Sequence, residues 1–160
     1  MAINTFTATE QRAAQNLVIG KGESGNVKNL TSTIEFTASD TASTVDFGEI
    51  PSGARILSSS RVYCDDCATT GAPIMDFGLS SGDITNDPDA IGNGLVTLAT
   101  ASTIGYPLIS DVANGGVKAY TLVSGQTEDP KNPLTVYGSL TDAATDQTGT
   151  ITLDLYYILD

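Results

Sequence analysis

Residues 149–160 read Gly149-Thr-Ile-Thr-Leu-Asp-Leu-Tyr-Tyr-Ile-Leu-Asp160, and their period is two. Ile151, Leu153, Leu155, Tyr157 and Leu159 fall on one side of an extended chain, while Thr150, Thr152 and Asp154 fall on the other. A strand with one face in a core and one in water has this alternation, because successive side chains point to opposite faces. Leu30-Thr-Ser-Thr-Ile-Glu-Phe-Thr-Ala38 repeats it, with Leu30, Ser32, Ile34, Phe36 and Ala38 forming the second row. Further strands are expected at Thr44 to Ile50, Ala54 to Tyr63, Pro73 to Leu79, Val117 to Ser124 and Leu134 to Leu140, with a weaker one near Leu95 to Ala101.

Turn-forming clusters separate these segments: Pro51-Ser52-Gly53, Thr70-Gly71-Ala72-Pro73, Ser81-Gly82-Asp83, Asn114-Gly115-Gly116 and Asp129-Pro130-Lys131-Asn132-Pro133. Many short alternating strands joined by such turns predict an all-β fold, an antiparallel β-sandwich or barrel. Its inward rows should include Ile34, Phe36, Val45, Phe47, Met75, Phe77, Leu79, Val136, Ile151, Leu153 and Leu155. Asp87-Pro88-Asp89-Ala90-Ile91 suggests one helical turn, with Asp87 as N-cap and Pro88 at the first helical position.

Residues 1–29 differ from the rest. They are polar, contain Gly20, Gly22 and Gly25, and show a short helix-like stretch only at Thr9 to Asn16. Such a segment cannot bury a core of its own, so the chain divides into an extended N-terminal arm, 1–29, and a β-sandwich domain, 30–160. The arm is expected to be ordered by contact, with a neighbouring subunit, a partner or its own body.

The 160 residues include no histidine, and 19 acidic side chains face 7 basic ones, a net charge of −12. Without imidazole there is no ordinary Ser-His or Cys-His pair, and with so few cations no surface that neutralises phosphates. The arm holds Arg12, Lys21 and Lys28 against Glu10 and Glu23, a balance of +1, which leaves −13 on residues 29–160. An acidic body of this kind repels nucleic acid and anionic membranes and favours solubility or a partner of complementary charge. No apolar run reaches the ~20 residues that a spanning helix needs, and no signal-peptide pattern opens the chain, so synthesis and folding in the cytoplasm are expected.

Two constellations could carry chemistry. Cys64-Asp65-Asp66-Cys67 is a C-x-x-C, but two aspartates between the thiols disfavour a thiolate, and a structural zinc would need a second pair of ligands. Two thiols at a strand end are the expected reading. Asp83, Thr85, Asp87 and Asp89 alternate as oxygen donors, which makes Asp83, Asp87 and Asp89 weak candidates for a cation loop. Counting from Asp83, however, Pro88 and Gly94 stand where an EF-hand loop needs glycine and glutamate. Asp40-Thr41-Ala42 lacks the glycine of an aspartic-protease loop and no Gly-rich phosphate loop ending in Lys occurs, so neither catalysis nor a cofactor is expected.

The stretches Ile50-Pro-Ser-Gly-Ala-Arg-Ile-Leu-Ser-Ser-Ser-Arg-Val-Tyr63, Thr70-Gly-Ala-Pro-Ile-Met-Asp-Phe-Gly-Leu79 and Gly149-Thr-Ile-Thr-Leu-Asp-Leu-Tyr-Tyr157, with Asp87 to Ile91, resemble virion proteins of tailed bacteriophages. They are most similar to jelly-roll head decoration, or cement, proteins. The resemblance covers residues 50–92 and 149–158 best. It implies a non-enzymatic subunit on the capsid exterior that contacts the major capsid protein and copies of itself as a dimer or trimer, with no direct nucleic-acid or membrane partner. A neck, tail or fibre-base subunit would share these strands and turns. A carbohydrate-binding or adhesion module shares the architecture, although the absence of tryptophan removes the usual sugar-stacking platforms.

Overall fold

The computed structural model describes residues 5–7, 10–11, 15–16, 27–102, 104–109 and 115–159. In chain order the strands are β1 (Thr5–Thr7), β2 (Glu10–Gln11), β3 (Gln15–Asn16), β4 (Val27–Phe36), β5 (Thr44–Ile50), β6 (Arg55–Ile56), β7 (Arg61–Cys64), β8 (Ile74–Ser81), β9 (Ile84–Thr97), β10 (Tyr106–Pro107), β11 (Leu134–Thr141) and β12 (Gly149–Ile158). One sheet runs β1-β5-β11-β8-β9 and the other β10-β7-β12-β4-β2, with β3 also on β4 and β6 also on β12.

Without the short strands β1, β2, β3 and β6, two four-stranded sheets remain, β5-β11-β8-β9 and β10-β7-β12-β4. Among these eight strands the chain changes sheet at every step except the β8–β9 hairpin. Two antiparallel sheets wound in this way form a jelly roll. The longest uninterrupted register joins β12 to β4, from Gly149 opposite Phe36 to Ile158 opposite Val27, and these are the two segments with the clearest alternation.

Every side chain expected to face inward is buried: Ile34, Phe36, Val45, Phe47, Met75, Phe77, Leu79, Val136, Ile151, Leu153 and Leu155. They form one core between the sheets, in which the Phe47 and Phe77 rings lie 5.5 Å apart between centroids and tilted by 31°, within the range of favourable aromatic pairs. Ser32 sits in the same inward row of β4 at 1% exposure, and its hydroxyl has no hydrogen-bond partner among the described residues.

Several local expectations are corrected. The segment Ala54 to Tyr63 is broken into β6 and β7, because the chain between them turns against β12. Leu57 N–H donates to the Tyr156 carbonyl at 2.8 Å, and the Ser60 hydroxyl accepts from the Tyr156 N–H at 2.9 Å. Val117 to Ser124 holds a 3-10 turn, Ala119–Leu122, in place of a strand. Its backbone is tied to the β5–β6 loop by Ala119 N–H to Ala54 O, 2.7 Å, and Tyr120 N–H to Ser52 O, 3.2 Å. The strand near Leu95 to Ala101 is the tail of β9, which begins at Ile84 and ends at Thr97.

The helical turn at Asp87 to Ile91 is likewise replaced by β9. Pro88 is tolerated in a strand because β9 is strongly bulged: Leu79 pairs with Asp87 and Phe77 with Gly92, so the intervening residues of β9 arch over the partner strand. Gly78 makes room for the arch. A Cβ at that position would stand 2.1 Å from the Asp87 carbonyl oxygen and 2.6 Å from Pro88 Cα.

At the N-terminus, β4 starts at Val27, so Val27, Lys28 and Asn29 pair with β12. The helix-like stretch Thr9 to Asn16 contains β2 and β3, while residues 9 and 12–14 lie outside the described part. β1 lies parallel to β5, with Thr5 opposite Thr44 and Thr7 opposite Asp46. β2 and β3 lie antiparallel to β4, with Glu10 opposite Thr33 and Gln15 opposite Asn29.

Candidate functional site

Cys64 ends β7 and Cys67 follows three residues later, and both thiols are free and buried. A cover formed by residues 97–102 closes over them. The Cys64 thiol donates to the carbonyls of Thr97 at 3.4 Å and Thr100 at 3.6 Å, and the Cys64 N–H donates to the Ser102 hydroxyl at 2.8 Å. The Cys67 N–H reaches Leu98 O at 2.8 Å, and its thiol donates to Asp65 O at 3.6 Å.

Burial is the first cause of the thiol protonation. It pushes Cys67 up to about 12, with Cys64, Asp65 and Asp66 adding to the effect. Cys64 is also raised by burial, which its bonds to Ser102 partly offset. A reactive or metal-binding cysteine needs the opposite environment, one that stabilises the thiolate. The sequence pointed to the two aspartates, but the covering loop contributes more.

The three carboxylates of the candidate cation loop are not brought together around a common point. Asp83 accepts from the Asn132 side-chain amide, Asp87 from the Ser124 N–H at 2.7 Å, and Asp89 from the Asn93 side chain at 2.8 Å. The first two tie the β8–β9 turn and β9 to residues 132 and 124, while the third lies within β9 itself. Among the described residues no group of three or more Cys, Asp or Glu side chains is placed to hold a metal ion.

Other carboxylates serve as loop fasteners. Asp146 accepts from the Thr69 N–H at 2.6 Å and the Thr69 and Thr70 hydroxyls at 2.7 and 2.8 Å, and the Thr69 hydroxyl leads in holding it at about 2. Asp129 accepts from the Ser52 hydroxyl at 2.6 Å and from Lys131 through N–H at 2.9 Å and Nζ at 3.0 Å, and Ser52 leads in holding it at about 2. Both are ionised throughout the neutral range, which suits an anchor rather than a proton shuttle. Tyr137, buried on β11, is pushed to about 12 by burial and by the charges of Asp87, Asp89 and Asp46.

The outer face of the β12–β4 pair is a polar ladder. Asn29 donates to the Thr31 hydroxyl at 2.7 Å, Thr31 donates to Asp154 at 2.8 Å, and the Thr33 and Thr152 hydroxyls share a bond of 2.9 Å. Cross-strand pairs of this type fasten the register. A shallow open groove of about 410 Å3 lies between Leu57, Ser58, Ser59, Gly115 and Gly116, none of which titrates. Among the described residues no helix is long and apolar enough to cross a membrane.

Sequence reasoning missed the edge occupied by the first strands. The alternating Thr5-Phe6-Thr7 was the signal for β1, since β-branched and aromatic residues favour extended backbone. With no described catalytic constellation, this edge and the acidic exterior are the features that remain for interaction.

No family model matches the chain, and no curated protein matches it in sequence. Among solved structures, it is similar to a chain of the "Cyanophage Pam1 capsid asymmetric unit" with a TM-score of 0.60 and 21% identity. The superposition covers 95% of this chain and 95% of that one, so the two share the fold over nearly their whole lengths.

Proposed function

We propose that the chain is a non-enzymatic structural subunit of a phage virion, a capsid decoration (cement) protein that binds the major capsid protein from outside and stabilises the shell. The observation that carries this reading is the extent of the likeness to a chain of the cyanophage capsid asymmetric unit, 95% of each chain. A match of that extent pairs two proteins of similar size as whole objects rather than through a common module. The strand-and-turn resemblance of residues 50–92 and 149–158 to tailed-phage decoration proteins points in the same direction by an independent route.

The physical properties suit the task. Such a protein is made in the host cytoplasm, folds before it meets the shell, and stays soluble while it accumulates. A net charge of −12 keeps copies apart in solution through mutual repulsion. Binding then falls to extended surfaces and sheet edges rather than to a pocket.

The test is co-sedimentation of purified protein with undecorated shells, followed by reconstruction of the loaded particles. Saturable binding, with density on the outer surface at a copy number set by the shell lattice, supports the proposal. Absence of binding, or density confined to the neck or tail, overturns it.

A further inference from the structure

β4 and β5 are consecutive in the chain, and each is the outermost long strand of its sheet. The N-terminal strands pair with both. These pairings are short: three residues of β1, two of β2 and two of β3, against ten residues of β4 and seven of β5. Among the described residues no strand pairs with the outer side of Phe47 to Ile50, the second half of β5. β1 on β5 is also the one parallel pairing among the described strands, so β1 joins the sheet as an independent strand and not through a hairpin.

We propose that residues 1–26 form an exchangeable arm, and that the β4–β5 edge of one copy accepts the arm of a second copy in the register seen within the chain. A pairing that a chain makes with itself is available between identical chains whenever the connection reaches. Residues 17–26, Leu-Val-Ile-Gly-Lys-Gly-Glu-Ser-Gly-Asn, join β3 to β4 and include Gly20, Gly22 and Gly25. Ten extended residues reach up to ~35 Å, several times the ~5 Å spacing between neighbouring strands.

Charge favours the arm over any other contact between copies. Residues 1–26 hold Arg12 and Lys21 against Glu10 and Glu23 and are formally neutral, so residues 27–160 carry the whole −12. Two bodies repel each other, whereas a neutral arm crosses to the second body without adding to that repulsion. The pairings among the described residues of the arm are short, so little has to be broken in each for the arm to leave its own edge, and a high local concentration of copies shifts the balance toward exchange. The proposal goes beyond the capsid reading and does not depend on it, since concentrated free protein suffices.

The experiment mixes two single variants at high protein concentration: affinity-tagged Thr7→Cys, and untagged Asp46→Cys, which pairs with Thr7 across β1 and β5. Mild oxidation with oxidised glutathione is followed by non-reducing electrophoresis. The expected result is a tagged–untagged heterodimer at least ~5-fold more abundant than with Glu49→Cys, three residues out of register, and decreasing on dilution, as a contact between chains must. Gln15→Cys with Asn29→Cys repeats the test on β4, should Asp46→Cys fail to fold. No heterodimer, or equal amounts with the out-of-register partner, overturns the proposal. Failure to bind shells would leave this result standing, so the two readings fail separately.

Discussion

Replacing Gly78 with alanine should loosen the β8–β9 hairpin, because the new methyl group has nowhere to go. Its Cβ would lie 2.1 Å from Asp87 O, 2.6 Å from Pro88 Cα and 2.7 Å from Pro88 C, where real contacts keep at least 3.0 Å. All three are backbone atoms, so no side-chain rotation relieves the overlap, and β9 must lift from β8 by about 0.9 Å at its arch. Overpacking of this kind costs about 1–3 kcal/mol, and backbone obstruction places the variant toward the upper end. For a domain of this size that lowers the melting temperature by about 4–12 °C. Gly82→Ala, in the turn of the same hairpin, is the control, because nothing lies within 4 Å of its Cβ. The assay is thermal unfolding followed by circular dichroism on both variants and the parent. A Gly78→Ala protein melting within a degree or two of the parent, or no lower than Gly82→Ala, would refute the arch of β9 over β8.

Two further outcomes follow from burial. Ser32→Ala removes a buried hydroxyl that has no partner among the described residues, and should raise stability by about 0.5–1 kcal/mol, read as a higher urea midpoint with unchanged slope; a lower midpoint would mean that the hydroxyl is satisfied. Alkaline pH should destabilise the fold: Cys67 rises from an ordinary 9.0 to about 12 and Tyr137 from 10.0 to about 12, so the unfolded chain releases protons that the folded one retains. Stability is therefore intact below pH 9 and lost between pH 9 and 12, by at most about 1.4 kcal/mol per pH unit for the thiol. Cys67→Ala should flatten the first part of that decline in urea titrations at pH 8, 9 and 10, and an unchanged slope would contradict the assigned burial.

The sandwich was legible where one face of a strand meets the core and the other meets water. Thr44–Ile50 and Gly149–Ile158 declare themselves because burial alone fixes their alternation. The sequence was opaque where distant backbone decided the conformation. Val117 to Ser124 alternates like a strand, but its amides are taken by Ala54 and Ser52, which no local pattern announces. Asp87-Pro88 carries a sound helix-start signal, but the glycine opposite, at position 78, admits a bulged strand instead. At the candidate site the aspartates between Cys64 and Cys67 were visible, whereas the loop that covers the thiols, reaching them from thirty or more residues away in sequence, was not. The cation candidates Asp83, Asp87 and Asp89 looked like one loop, but strand pairing directs them to three separate donors.

The placement of β12 has a bearing on synthesis. Residues 149–158 pair with β4 along one side and with β6 and β7 along the other, so this strand alone joins the two flanks of its sheet. The ribosome delivers it after the other described strands. Until then β4 and β7 have no partner between them, and the apolar rows of both sheets remain uncovered on the nascent chain. Contacts of such long sequence separation form slowly and leave an aggregation-prone interval in which a holding chaperone would act. A product that ends before Gly149 lacks the middle of one sheet. The winding of the fold thereby makes completion of this sheet wait on residues 149–158.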